Sequence, residues 1–178
     1  MAGLSIAQLV TLDAAGEKIL TGAADLSLDG GISATAGTLS STGGTLSLPI
    51  GATLASGASF STSNTTLNLG GSLAVAGTWS GSNTTSISLT TDNASLSSTA
   101  GLSLASLQTN GHDFKLASAT TDLTIKNAFA LSGSETLSTQ GADLIFESSA
   151  DISSGSTLDA SGGGKLEFQQ GGTDNGSI

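Results

Sequence analysis

A short apolar couplet, Leu-x-Leu or a close variant, returns about every 20 to 22 residues along the whole chain. It occurs at Leu4/Ile6, Leu26/Leu28, Leu46/Leu48, Leu67/Leu69, Ile87/Leu89, Leu102/Leu104, Leu123/Ile125, Leu144/Phe146 and Leu166/Phe168. The successive spacings are 22, 20, 21, 20, 15, 21, 21 and 22. A period of this size marks a stacked repeat architecture. One repeat cannot bury its own apolar face, so its neighbours must supply the core.

Alternation within the couplet puts two apolar side chains on one face of a strand and the residue between them on the other. The middle positions fit an exposed face: Ser27, Ser47, Asn68, Ser88, Ser103, Thr124 and Glu167, with Ile145 the exception. A second anchor precedes most couplets by seven or eight residues, at Ile19, Leu39, Phe60, Trp79, Leu116, Leu137 and Leu158. A third follows by about five to eight, at Leu9, Ile32, Leu54, Leu73, Leu107, Phe129 and Ile152. Three short strands per repeat imply a three-sided coil.

The expected fold is therefore all-β: one domain over 1–178, a parallel β-solenoid (three-sided β-helix) of about eight rungs. Rungs begin near 4, 26, 46, 67, 87, 102, 123, 144 and 166, and stacking at about 4.8 Å gives a rod of roughly 38 Å. Helices fail on period and on the abundance of Gly, Ser and Thr. The stretch Leu4 to Leu20 reads as a first rung in preference to an amphipathic cap. The 15-residue step after Ile87 predicts an irregular 87–122 region with a bulge, a lost side or a register change, and a protruding loop near Asn110–Asp113.

The chain has no Cys, hence neither disulfides nor thiolate metal sites, and stability must come from hydrogen-bond ladders and stacking. Its net charge of -10 includes only four cations, all Lys. That balance argues against nucleic acid as a partner, since phosphate binding needs a basic face. No apolar run approaches the roughly 20 residues of a membrane span. The start lacks the cationic and cleavage features of a secretory signal, so the chain reads as a mature segment or an excised fragment.

The couplet, the Gly-rich corners and the period resemble the β-helical repeats of filamentous-haemagglutinin-like bacterial surface and secreted proteins. Segments such as Asp25-Leu-Ser-Leu-Asp-Gly-Gly31 and Asp122-Leu-Thr-Ile-Lys-Asn127 carry the likeness, which spans nearly the whole chain. It implies an extracellular or cell-surface location and a stalk or adhesin role. The secretion domain usual in that family has no counterpart in this sequence.

Candidate chemistry is sparse. Aligned rungs place Asp122, Asp143 and Lys165 in one column and Lys126 and Glu147 in another. Asp122 and Asp143 are the only calcium candidates, and an exposed structural ladder is the favoured reading, because Lys165 comes next in line. Asp159-Ala-Ser-Gly-Gly-Gly164 does not reproduce the nonapeptide of calcium-binding β-rolls. The single histidine, His112, stands beside Asp113 in a turn with Asn110; these three are the candidate interaction loop. Lacking a second His or a Glu cluster, it makes no zinc site. No Gly-x-Ser-x-Gly elbow occurs, so no nucleophilic triad is expected. Trp79 falls in the anchor column of Phe60 and Leu39, where core packing is favoured over sugar stacking. Asn64, Asn83, Asn93 and Asn175 head Asn-x-Ser/Thr sequons, which on a bacterial reading are corner residues. Thr38, Thr65, Thr78, Thr84 and Thr136 fall at differing rung offsets, against the flat threonine face of an ice binder.

The expectation is a non-enzymatic structural spacer or filament module without a cofactor, self-associating end to end. The alternative is an adhesin that meets a glycan or protein receptor on the rod's side, near Leu102 to Lys115. A β-helical enzyme acting on polysaccharide ranks third, because the acids are scattered and Arg and Tyr are absent.

Overall fold

The computed structural model describes residues 3–92, 94–118 and 121–178. Among them the chain is all-β except for one 3-10 turn, Ser82–Thr84, and it coils through eight rungs of three strands each. The first rung holds β1 (Leu4–Ile6), β2 (Val10–Leu12) and β3 (Lys18–Thr21). The second holds β4 (Leu26–Leu28), β5 (Ile32–Ala34) and β6 (Thr38–Thr42), the third β7 (Thr45–Leu48), β8 (Gly51–Leu54) and β9 (Ser59–Ser63). The fourth holds β10 (Thr66–Leu69), β11 (Ser72–Val75) and β12 (Thr78–Ser80), the fifth β13 (Ser86–Leu89), β14 (Ala94–Ser98) and β15 (Leu102–Leu104). The sixth holds β16 (Ser106–Gln108), β17 (Phe114–Leu116) and β18 (Leu123–Ile125), the seventh β19 (Phe129–Leu131), β20 (Thr136–Ser138) and β21 (Leu144–Phe146). The eighth holds β22 (Ala150–Ile152), β23 (Thr157–Asp159) and β24 (Leu166–Phe168).

Every strand pairs in parallel with its counterpart one rung away, as a coil of short strands requires. The second face is one uninterrupted eight-stranded sheet from β2 to β23. The first face is a six-stranded sheet from β1 to β16, then the pair β19 and β22. The third face is divided into two four-stranded sheets, β3 to β12 and β15 to β24. Inward side chains fill the axis: Leu28, Leu46, Leu48, Leu67, Leu69 and Ile87 are wholly buried, and Phe60, Phe114 and Phe146 are the bulkiest. Each such side chain contributes about 1.5–3 kcal/mol by leaving water. Aromatic pairs continue the ladder: Phe129, Phe146 and Phe168 stack with centroids 5.1 Å apart at each step.

The register departs from the sequence reading where the couplet spacing falls to 15. Ile87 pairs with Leu107, 20 residues on, and not with Leu102. The fifth rung keeps all three sides. What changes is the couplet, which lies on the first face through Ile87/Leu89 and on the third face from Leu102/Leu104 onward. A step of 15 is about two sides of a 20–22-residue rung, so it carries the pattern to another face. Both anchor sets also move on by one side at the same point: Ile19, Leu39, Phe60 and Trp79 line the third face and Leu116, Leu137 and Leu158 the second, whereas Ile32, Leu54 and Leu73 line the second face and Leu107, Phe129 and Ile152 the first. Leu4 to Leu20 forms a first rung. Leu9 is not its anchor, being 62% exposed; Val10 and Leu12 face inward in its place, and Val10 pairs with Ile32.

Candidate functional site

The polar residues singled out from the sequence collect at the corners. Asn110, His112 and Asp113 share one corner, between the first and second faces. Positive φ at Asn110 (54°) and Gly111 (89°) turns the chain there, closed by the His112 N–H donating to the Thr109 carbonyl at 3.0 Å. The corner is stitched to both neighbouring rungs. Asn110 Nδ2 donates to Ser88 Oγ at 2.8 Å and to the Leu89 carbonyl at 3.0 Å. His112 Nδ1 lies 3.0 Å from Asp92 Oδ1, and that oxygen also accepts the Asp113 N–H at 3.3 Å. The bond from His112, then that from Asp113, holds the Asp92 carboxyl below the ordinary range. In the other direction Asp113 Oδ1 accepts the Thr136 N–H at 2.6 Å.

A residue that the sequence reading passed over completes this corner. Glu135 is 3% exposed. Its carboxylate accepts the Thr109 hydroxyl at 2.8 Å and the Gly111 N–H from the rung below, and the Ser132 N–H at 2.8 Å within its own rung. An acid three residues after the start of the Ser132-Gly-Ser-Glu corner was the available signal. The first rung repeats the device exposed: Glu17 accepts the N–H groups of Asp13 and Ala14.

The column of Asp122, Asp143 and Lys165 is present as aligned. Asp122 Oδ1 accepts the Asp143 N–H at 3.0 Å, and Asp143 Oδ1 accepts the Lys165 N–H at 2.7 Å. Asp25, likewise just before a couplet, accepts the Thr45 N–H at 2.7 Å. An aspartate preceding a strand is therefore a staple to the next rung, a charge-assisted bond of the stronger kind. Asp122 and Asp143 use these oxygens on amides, and no grouping of three or more metal-ligating side chains occurs among the described residues. Among the described residues Lys126 and Glu147 form no ion pair, while Lys165 pairs with Glu167. Asn93, one of the sequon residues, lies outside the described residues. Two buried hydroxyl oxygens, Ser103 Oγ and Thr139 Oγ1, have no partner among the described residues.

Trp79 takes the core column expected of it, paired with Phe60 at a centroid distance of 4.9 Å. The threonine ranks are better ordered than their spacing suggests: Thr38 and Thr78 share one column on the third face, with Ser59 between them. On the first face Thr45, Thr66, Ser86 and Ser106 form a second outward column, beside Ser47, Asn68, Ser88 and Gln108. No ionisable side chain occurs from Gly30 to Thr91, so the rank residues within that span are carried by neutral segments of the chain.

The fold and its stapled corners define the class: a parallel β-solenoid repeat protein. Compared with protein-family models, curated proteins and solved structures, the chain matches none. Among the described residues no helix is long and apolar enough to cross a membrane.

Proposed function

We propose that the chain is a structural rod module of an extracellular bacterial surface protein, extending or assembling by end-to-end stacking of its rungs. The observation that carries this reading is the state of the two terminal rungs. At one end Leu4, in the inward column of Leu26, is 63% exposed, and the inward Ile6, Val10 and Ile19 are only partly covered. At the other, Phe168 and Ile178 are 37% and 60% exposed and border an apolar hollow of about 290 Å³ with Ala150 and Ile152. The first rung thus offers another rung unpaired strand edges and apolar surface, the two components every internal contact uses; at the far end β22 and β23 are already bridged by the tail at Asp174 and Ser177, and β24 and the tail itself supply the open edge. Internal rungs touch only their neighbours, so added length leaves the stability per rung unchanged.

Electron microscopy and light scattering at rising protein concentration test this. Unbranched fibres, lost on replacing Leu4 and Val10 by Lys, are the expected result. Particles that stay single at high concentration for days would sink the assembly reading.

A further inference from the structure

The third face is broken between β12 and β15. In place of pairing with β12, β15 packs against the 3-10 turn Ser82–Thr84, and the Ala105 N–H bonds the Thr85 carbonyl at 2.8 Å. The chain from Ser98 to Gly101 bends past β12, held by the Thr99 N–H to Val75 and the Thr99 hydroxyl to Ala76, both 3.3 Å. A hollow of about 370 Å³ remains, with Ser56, Gly77, Thr78 and Trp79 on one side and Thr99 and Gly101 on the other. The Thr78 N–H donates to the Ala58 carbonyl at 3.3 Å, toward the third rung. Alternation along the strand then turns the Trp79 N–H and carbonyl toward the hollow.

The geometry points to a binding site for a neutral saccharide in this hollow, with Trp79 as its aromatic wall. The indole is half-buried and held in place by Phe60 and by the bond from Nε1 to Thr62 Oγ1 at 2.8 Å. The hydroxyls of Ser56 and Thr78 form no hydrogen bond with the described residues and are free for a ligand. An aromatic surface rimmed by hydroxyls and an open strand edge matches a sugar ring, which has an apolar C–H face and a hydroxyl edge. Charge selects the class further. The lining holds no ionisable group, and a chain of net charge -10 with no cation at the site repels uronic acids, sulfated sugars and phosphates. Strand addition by a peptide is disfavoured because β12 offers a three-residue edge, too short for the main-chain bonds that carry that mode. The volume lies near the lower end of ligand sites, about 300–1,000 Å³, and suits one or two rings of a longer chain. This site is independent of how the rod's ends assemble.

The protein carries its own probe, since Trp79 is the only Trp and there is no Tyr. Emission from Trp79 is followed while cello-, xylo-, malto- and chito-hexasaccharides are added, with oligogalacturonate as the anionic control. Ser56→Ala removes one free hydroxyl of the rim, at an exposed turn position. Thr78→Val removes another on an exposed strand position. Expected is a saturable emission shift with at least one neutral series, weakened a few-fold by either variant and tenfold or more by the two combined, with unchanged circular dichroism. If Ser56→Ala alters the dichroism, Thr78→Val alone decides. The site is overturned if no neutral series shifts the emission, if the anionic control does so equally, if a Ser/Thr-rich peptide acts in their place, or if the properly folded variants titrate like the parent.

Discussion

Replacing Glu135 by Ala is the most revealing perturbation of this rod. It removes the acceptor for three donors, the Thr109 hydroxyl and the N–H groups of Gly111 and Ser132, at a corner where Glu135 is 3% exposed. Hydrogen bonds to a charged acceptor contribute about 1.5–3 kcal/mol each, so the gross loss for three is about 4.5–9 kcal/mol. Two terms offset it: the carboxylate's desolvation cost disappears, and water enters the vacated corner. The expected net loss is about 3 kcal/mol. Glu135→Gln keeps one acceptor oxygen and turns an amide N–H₂ toward a donor, for a loss of about 1–2 kcal/mol. The distinctive consequence is spatial. Rungs interact only with neighbours, so weakening the join between the sixth and seventh rungs lets β19–β24 unfold ahead of the rest. Trp79, in the fourth rung, reports only the N-terminal part, whereas far-ultraviolet dichroism reports every strand. In the parent the two denaturation curves coincide; in Glu135→Ala the dichroism moves first and the fluorescence midpoint stays near that of the parent. Coincident curves with a loss below about 1 kcal/mol would refute the inter-rung role.

Gly81 has φ 77°, and a Cβ there would sit 1.6 Å from the Thr62 carbonyl oxygen, whereas Gly133 has φ 75° and open space around it. Gly81→Ala is expected to cost about 3 kcal/mol or more and Gly133→Ala about 1 kcal/mol; chemical denaturation that ranks them equally removes the steric argument. Thr139→Val deletes a buried hydroxyl that has no partner among the described residues and keeps the shape, so thermal melts should show a gain of about 1 kcal/mol. Several exposed carboxyls are held below their ordinary range: Glu17 by the N–H groups of Ala14 and Asp13, Asp29 by the hydroxyls of Ser27 and Ser5, Asp92 by His112, Asp159 by Ser161, and Glu167 by Lys165. A lowered folded-state pKa stabilises the fold above the unfolded value and loses that contribution as pH falls through the folded value. Melting temperature should hold down to about pH 5 and fall below about pH 4, and a melt unchanged at about pH 3 contradicts this.

The period alone carried the architecture, because parallel stacking requires each residue to lie above the one a full rung away. That rule also placed the Asp122–Asp143–Lys165 staple correctly, since those residues differ by 21 and 22. Glu135 escaped it. The strand registers on either side continue to His112 and Ser156 as its counterparts, so no column of acids drew attention to it, and its burial depends on donors from two different rungs. The hollow beside Trp79 was invisible for a related reason: it arises where β15 packs against the Ser82–Thr84 turn, and nothing in the residue types marks that offset.

The misalignment at Leu102 shows where pattern matching on residue type reaches its limit. Every side of the coil requires the same inward–outward–inward strand, so Leu-x-Leu says that a strand is half-buried but not which face it occupies. The phase along the chain supplies that information. From Ile87 a full rung reaches Leu107, and Leu102/Leu104 lies two sides on; following the step length, and not the motif, gives the observed pairing of β13 with β16. The same logic explains why the second face alone runs unbroken: its strands change composition, from Ile32 and Leu54 to Phe114 and Leu137, yet keep their phase through all eight rungs. In a β-solenoid the spacing between apolar residues selects the partner, and their identity only fills the axis.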